Sequence, residues 1–118
     1  MMCWVAGRLT VLAVVLPLPV LAASYAPVDC AKARSAAEMA ICRTYSLGQA
    51  EARLATLFGI ATSLVAMGQR GDISDAQRRW LMVRDGCGGD VSCLGNAYQR
   101  RIDELSSVID AIAARGPF

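Results

Sequence analysis

Between Gln77 and Cys87 this chain sets an amide, three guanidinium groups, an indole, a carboxylate and a thiol: Gln77-Arg78-Arg79-Trp80-Leu81-Met82-Val83-Arg84-Asp85-Gly86-Cys87. Such a set can hold a charged group, stack on a ring or, with a base at hand, activate a nucleophile. Wound as a helix, it puts Ala76, Trp80 and Val83 on one side with Leu81 at the edge. Gln77 and Arg84 fall inside that apolar stripe, whereas Arg78, Arg79 and Asp85 face outward. A polar residue on an apolar stripe is either a satisfied core group or part of a site. Trp80 reads as core, because an aromatic ring on such a stripe buries a large apolar area.

The inventory for catalysis is thin. The chain has no His, so the commonest general base is missing. The cysteines are expected to be oxidised, which leaves no thiolate, and scattered carboxylates do not make a glycosidase pair. The protein is therefore expected not to be an enzyme. Cys30, Cys42, Cys87 and Cys93 are spaced C-x11-C, then 44 residues, then C-x5-C. Close ligand pairs for zinc and a redox C-x-x-C are both absent, so neither metal nor cofactor is expected. Beyond residue 23, Lys32 and ten Arg stand against ten Asp and Glu, a net of about +1. That balance is too even to suggest nucleic acid or a charged membrane surface.

The start of the chain has a different character. A head with Arg8 precedes the apolar run Leu9–Leu21 and the small residues Ala22, Ala23 and Ser24, the order of a secretory signal peptide over residues 1–23. The run is too short and too broken by Pro17 and Pro19 for a spanning helix of about 20 residues. Ser24 stands where a lipoprotein would carry Cys, so no lipid anchor is expected. The processed chain is expected to be periplasmic or secreted, with no stable membrane span. Four cysteines in an exported small domain read as two disulfides, of ~2–4 kcal/mol each. Three pairings are open. Cys30–Cys42 with Cys87–Cys93 is favoured, because each bridge then fastens a short helix to its own approach.

The elements that position these groups are helical. Residues 24–34 read as an extended lead-in, and residues 35–115 as a helical domain. Ser35-Ala-Ala-Glu38 is a capping box opening a helix to about Tyr45, with Glu38, Ile41, Cys42 and Tyr45 on one face. Ser46-Leu-Gly-Gln49 opens a second, about Leu47–Met67, whose stripe is Leu47, Ala50, Leu54, Leu57, Phe58, Ala61, Leu64 and Val65. Glu51 and Arg53 keep it from reading as a membrane span. Gly68–Asp72 reads as a loop, and Ser74-Asp-Ala-Gln77 opens a short third helix over about Asp75–Asp85. Asp90 caps the last, about Val91–Ala114, with Leu94, Tyr98, Ile102, Leu105, Ile109 and Ile112 as its stripe. The expected fold is all-α: a small disulfide-stapled antiparallel bundle of about four helices, two short and two long. Glu38 and Arg84 both intrude on apolar stripes and are expected to pair across the bundle, with Arg101 as the other partner open to Glu38.

The order Asp29-Cys30, Glu38-Met-Ala-Ile41-Cys42, Leu47, Gln77-Arg78-x-Trp80-Leu81-x-x-Arg84-Asp85-x-Cys87, Cys93-Leu94 and Tyr98-x-x-Arg101-Ile102-x-x-Leu105 resembles the lysozyme inhibitor LprI-like N-terminal domain family of exported bacterial proteins. The resemblance covers about Asp29 to Leu105, and Trp80, Leu81, Asp85 and Tyr98 belong to its most specific block. It implies a small exported helical domain with paired cysteines. The family's namesake inhibits lysozyme, so the partner implied is a lysozyme or another envelope protein. This chain has Ala50-Glu51 where members often carry Leu-Asp, and Phe58 where they often carry Tyr. Arg70 and Asp72, on the expected loop, and Arg78 and Arg79, on the outer face, are the candidates for touching a partner. The other function left open is a non-inhibitory accessory module of the envelope.

Overall fold

A computed structural model describes residues 25–116; the expected signal peptide lies outside the described residues. Among the described residues there are four helices and no strands: α1 (Ala36–Arg43), α2 (Tyr45–Leu64), α3 (Met67–Gly86) and α4 (Val91–Ala113). The all-α fold and both local disulfides, Cys30–Cys42 and Cys87–Cys93, are as the sequence leads one to expect.

α1 starts where the capping box places it. The Glu38 N–H donates to Ser35 Oγ at 3.0 Å, and Glu38 Oε2 accepts the Ser35 N–H in return. Two boundaries differ from expectation. The corner between α1 and α2 is the single residue Thr44, in an extended conformation. Its N–H bonds the Ala40 carbonyl, and its own carbonyl accepts from Leu47 and Gly48. Ser46 therefore sits inside α2 rather than capping it. Tyr45 is 83% exposed rather than on the core face of α1, because a new helical phase begins there. That phase is set by Leu47, Glu51, Leu54, Phe58 and Ala61, all buried. Leu64, expected on the stripe, is left outside it.

The larger correction concerns α3. Gly68–Asp72 is not a loop but the first turns of α3, and Ser74 is helical rather than a cap. α3 thus has 20 residues, matching α2, and the α2–α3 connection shrinks to Val65 and Ala66. Val65 and Ile73, both buried, bracket the reversal and draw the chain into the core on either side. Arg70 Nε donates to the Thr62 carbonyl at 2.7 Å, satisfying an acceptor that the end of α2 leaves open. Packing and this cap outweigh the two glycines, which cost a helix interior ~0.5–1 kcal/mol each relative to Ala. Neither Gly68 nor Gly71 has an atom within 4 Å of where a Cβ would stand, and neither has a positive φ. Gly68→Ala with Gly71→Ala is thus expected to raise the unfolding free energy by about 1–2 kcal/mol in urea titration. A loop at this position would instead make the substitutions neutral or harmful.

α3 and α4 run antiparallel, since Ile73 and Gln77 meet Arg101, Trp80 meets Ala97, and Cys87 bonds Cys93. Their turn uses Gly88 at φ 57°, a left-handed conformation that disfavours other residues. Asp90 caps α4 through the Cys93 N–H. The core of α4 is Leu94, Tyr98, Ile102, Leu105 and Ile112. Each fully buried leucine contributes roughly 1.5–3 kcal/mol relative to an exposed one.

Candidate functional site

At the centre of the bundle lies a carboxylate that sequence reasoning used to argue against a membrane span and did not place among the site residues. Glu51 is 4% exposed. Its Oε1 accepts the Tyr25 hydroxyl at 2.6 Å and the Val28 N–H at 3.1 Å, and its Oε2 accepts the Tyr98 hydroxyl at 2.5 Å. The three donors come from the lead-in and α4, so this one side chain ties both to α2. The signal was present: Glu51 follows Leu47 by four and precedes Leu54 by three, on the apolar stripe like Gln77 and Arg84 on α3. The acidic position of the family motif pointed to it as well.

Aromatic rings close around it. Tyr25 meets Phe58 edge to face with centroids 5.6 Å apart, and Tyr98 meets Trp80 likewise at 5.1 Å. Trp80 Nε1 donates to the Ala97 carbonyl at 2.9 Å, so the indole is satisfied inside the core. Arg84 stacks over the Trp80 ring with its guanidinium carbon 5.9 Å from the centroid.

Arg84 does not pair with Glu38. It bonds its neighbour Asp85 at 2.9 Å. Burial works against the Arg84 charge, but the hydrogen bond and charge of Asp85 outweigh it and hold the guanidinium above its usual range. Glu38 is spent on the capping box and on the Arg34 N–H; those two backbone donors hold its carboxyl below the usual range. Arg101 is not Glu38's partner either. Its Nε donates to Gln77 Oε1 at 2.9 Å, one terminal nitrogen to Glu104 at 2.8 Å and the other to the Ile73 carbonyl at 3.2 Å. Gln77, Arg84 and Arg101 are buried, while Glu38 sits at the margin. The expected partner contacts Arg70 and Asp72 lie on α3, not on a loop, and Arg70 is tied to α2. Arg78, ion-paired with Asp75, and Arg79 are on the outer face. Val83, expected inside, is 53% exposed. Leu81 is half-buried and Asp85 is exposed.

The tyrosine hydroxyls are held far above the usual tyrosine range. Burial is the first cause for both. For Tyr25 the charge of Glu51 comes next and then its hydrogen bond; for Tyr98 the hydrogen bond precedes the charge. The Arg84 charge pulls weakly the other way. An unfolded tyrosine loses its proton near pH ~10. The native state keeps it, so above that pH it binds more protons than the unfolded chain, and stability falls as pH rises. Urea midpoints should accordingly drop beyond about pH 10. The Tyr25→Phe/Tyr98→Phe protein starts lower but loses less per pH step, and equal slopes would contradict the network.

Three concavities flank these groups. A cleft of about 690 Å³ under the lead-in is walled by Val28, Ile41, Tyr45 and Ala52, with Glu51 in its lining. On the other side of the lead-in, Lys32, Glu38, Leu81 and Arg84 border one of about 350 Å³. Between α3 and α4 lies a groove of about 300 Å³. Among the described residues, no three Cys, Asp or Glu side chains gather as a metal site requires. No helix there is long and apolar enough to cross a membrane. Glu51 bonds Tyr25 and Tyr98, and Gln77 bonds Arg101, and what these contacts can do is hold four elements in one register.

Compared with known families, residues 29–115 match the model described as lysozyme inhibitor LprI. No curated protein and no solved structure matches the chain.

Proposed function

Because the chain belongs to the lysozyme inhibitor LprI family, we propose that it is an exported, non-catalytic envelope protein that binds a lysozyme and blocks it. The observation that carries this is the reach of the family match, which takes in all four helices and all four paired cysteines. Two disulfides suit an oxidising compartment, in keeping with the signal peptide read at residues 1–23. The signature side chains Gln77, Trp80, Arg84 and Tyr98 bond within the protein, which suits a rigid binding scaffold better than a catalyst. With Arg70 and Asp72 held in α3, binding through an inserted loop gives way to binding through a rigid helical face.

The chain, exported to an oxidising compartment and purified in its processed form, is expected to slow lysozyme clearance of a cell-wall suspension, saturably and at micromolar protein. Undiminished clearance at that concentration would remove the proposal for the lysozyme used and leave a non-inhibitory envelope module.

A further inference from the structure

The groove between α3 and α4 carries charge that the fold does not use. Trp80, Val83 and Ala97 line it, and Arg79 and Arg100 border it from the two helices. Most arginines of the domain are engaged internally: Arg43, Arg70 and Arg115 on backbone carbonyls, Arg78 and Arg84 on aspartates, Arg101 on three acceptors. Arg79 and Arg100 are exposed, and neither makes a hydrogen bond or ion pair among the described residues. The acid at the groove, Glu104, is already matched by Arg101. Two free guanidinium groups thus flank an apolar floor on which Val83 lies more than half exposed.

We infer that this groove is the face that holds the lysozyme, with Arg79 and Arg100 bonding carboxylates of the enzyme's cleft and the floor taking an apolar side chain from its lip. The inference rests on the inhibitor reading above. Lysozyme cleaves with two carboxyl groups flanking the scissile bond, and the planar fork of Arg fits a carboxylate better than any other cation. The near-neutral net charge gives no long-range attraction, so recognition falls to local charge complementarity. The larger cleft under the lead-in is the weaker candidate, because no cation among the described residues lines it and its charged side chain is the Glu51 carboxylate, which would repel an acidic cleft.

The test uses the processed, oxidised protein with Arg79→Glu, Arg100→Glu, both together, and Arg53→Glu. Arg53 is an exposed arginine of α2 without a bonded partner among the described residues, so its reversal reproduces the net-charge change of each single variant, half that of the double, away from the groove. Affinity for lysozyme is measured by calorimetry, with and without an oligosaccharide filling the enzyme's cleft, and thermal melts confirm that each protein folds. The double variant is expected to lose about 100-fold or more in affinity while Arg53→Glu stays near the parent. The oligosaccharide should compete. If the parent binds and the double variant binds equally, or the oligosaccharide does not compete, the groove assignment is overturned while the inhibitor reading stands. If the parent does not bind, the inhibitor reading fails and takes this inference with it.

Discussion

Glu51→Ala is expected to cost about 3–5 kcal/mol of unfolding free energy, the largest loss from any single polar side chain in the domain. The change removes the acceptor of three donors at once, from Tyr25, Val28 and Tyr98. Tyr98 is 1% exposed, so its hydroxyl cannot turn to water. Each stranded donor costs ~1–3 kcal/mol. Relief of a desolvated carboxylate offsets part of the sum, which is why the expected total is below the three penalties added together. For a domain stable by about 5–15 kcal/mol, a loss of this size leaves little margin. Glu51→Gln keeps one oxygen acceptor and should lose roughly half as much. Adding Tyr98→Phe to Glu51→Ala removes the stranded hydroxyl, so the double loss should fall short of the summed single losses. Urea titration of the four proteins decides this. Additive losses, or a cost below ~1 kcal/mol for Glu51→Ala, would mean that the carboxylate does not organise the core.

The second large effect lies at the α3–α4 contact. Arg101→Ala should cost about 3–4 kcal/mol, because it opens a cavity and removes the partner that the buried Gln77 side-chain amide has among the described residues. Among the described residues Gln77 Nε2 has no partner, so without Arg101 the whole amide is left unpaired there. Replacing the pair together, Gln77→Leu with Arg101→Met, should recover most of that loss, since an apolar pair of similar shape leaves without Arg101 only Glu104, which is exposed, and the Ile73 carbonyl, which lies inside α3. If the double replacement melts no higher than Arg101→Ala, the polar contact is itself a source of stability rather than of registry. Either way, the cost falls on α3 and α4 and not on Glu38, which a pairing of Arg101 with Glu38 would have disturbed.

The places where sequence and structure part have a common cause. Helical phase is legible where a stripe is long and uninterrupted, as in α4, whose cap at Asp90 and core from Leu94 to Ile112 fall as expected. It fails at Tyr45 and Leu64, because the corners at Thr44 and Val65 reset the phase within one or two residues. Gly68 and Gly71 speak for a loop on local propensity, and α3 forms through them because Val65 and Ile73 are both drawn into the core. Val83 looks like a core residue on a wheel built around Trp80. Once α3 is seen to bury Ile73, Gln77, Trp80 and Arg84, Val83 is left on the flank beside the groove.

By itself the sequence determined the all-α class, the oxidised cysteines, the capping box of α1, the core of α4 and the family to which the chain belongs, while it favoured the local disulfide pairing that the structure then fixed. These follow from periodicity, cap chemistry and motif order, all of which act over a few turns of chain. Only the tertiary structure decided which charge answers which. Glu51 meets Tyr98 across 47 positions, and Arg101 meets Gln77 across 24. Every buried donor must find an acceptor, but which acceptor it finds depends on the rotation and register of packed helices, and no local stretch of the chain encodes that.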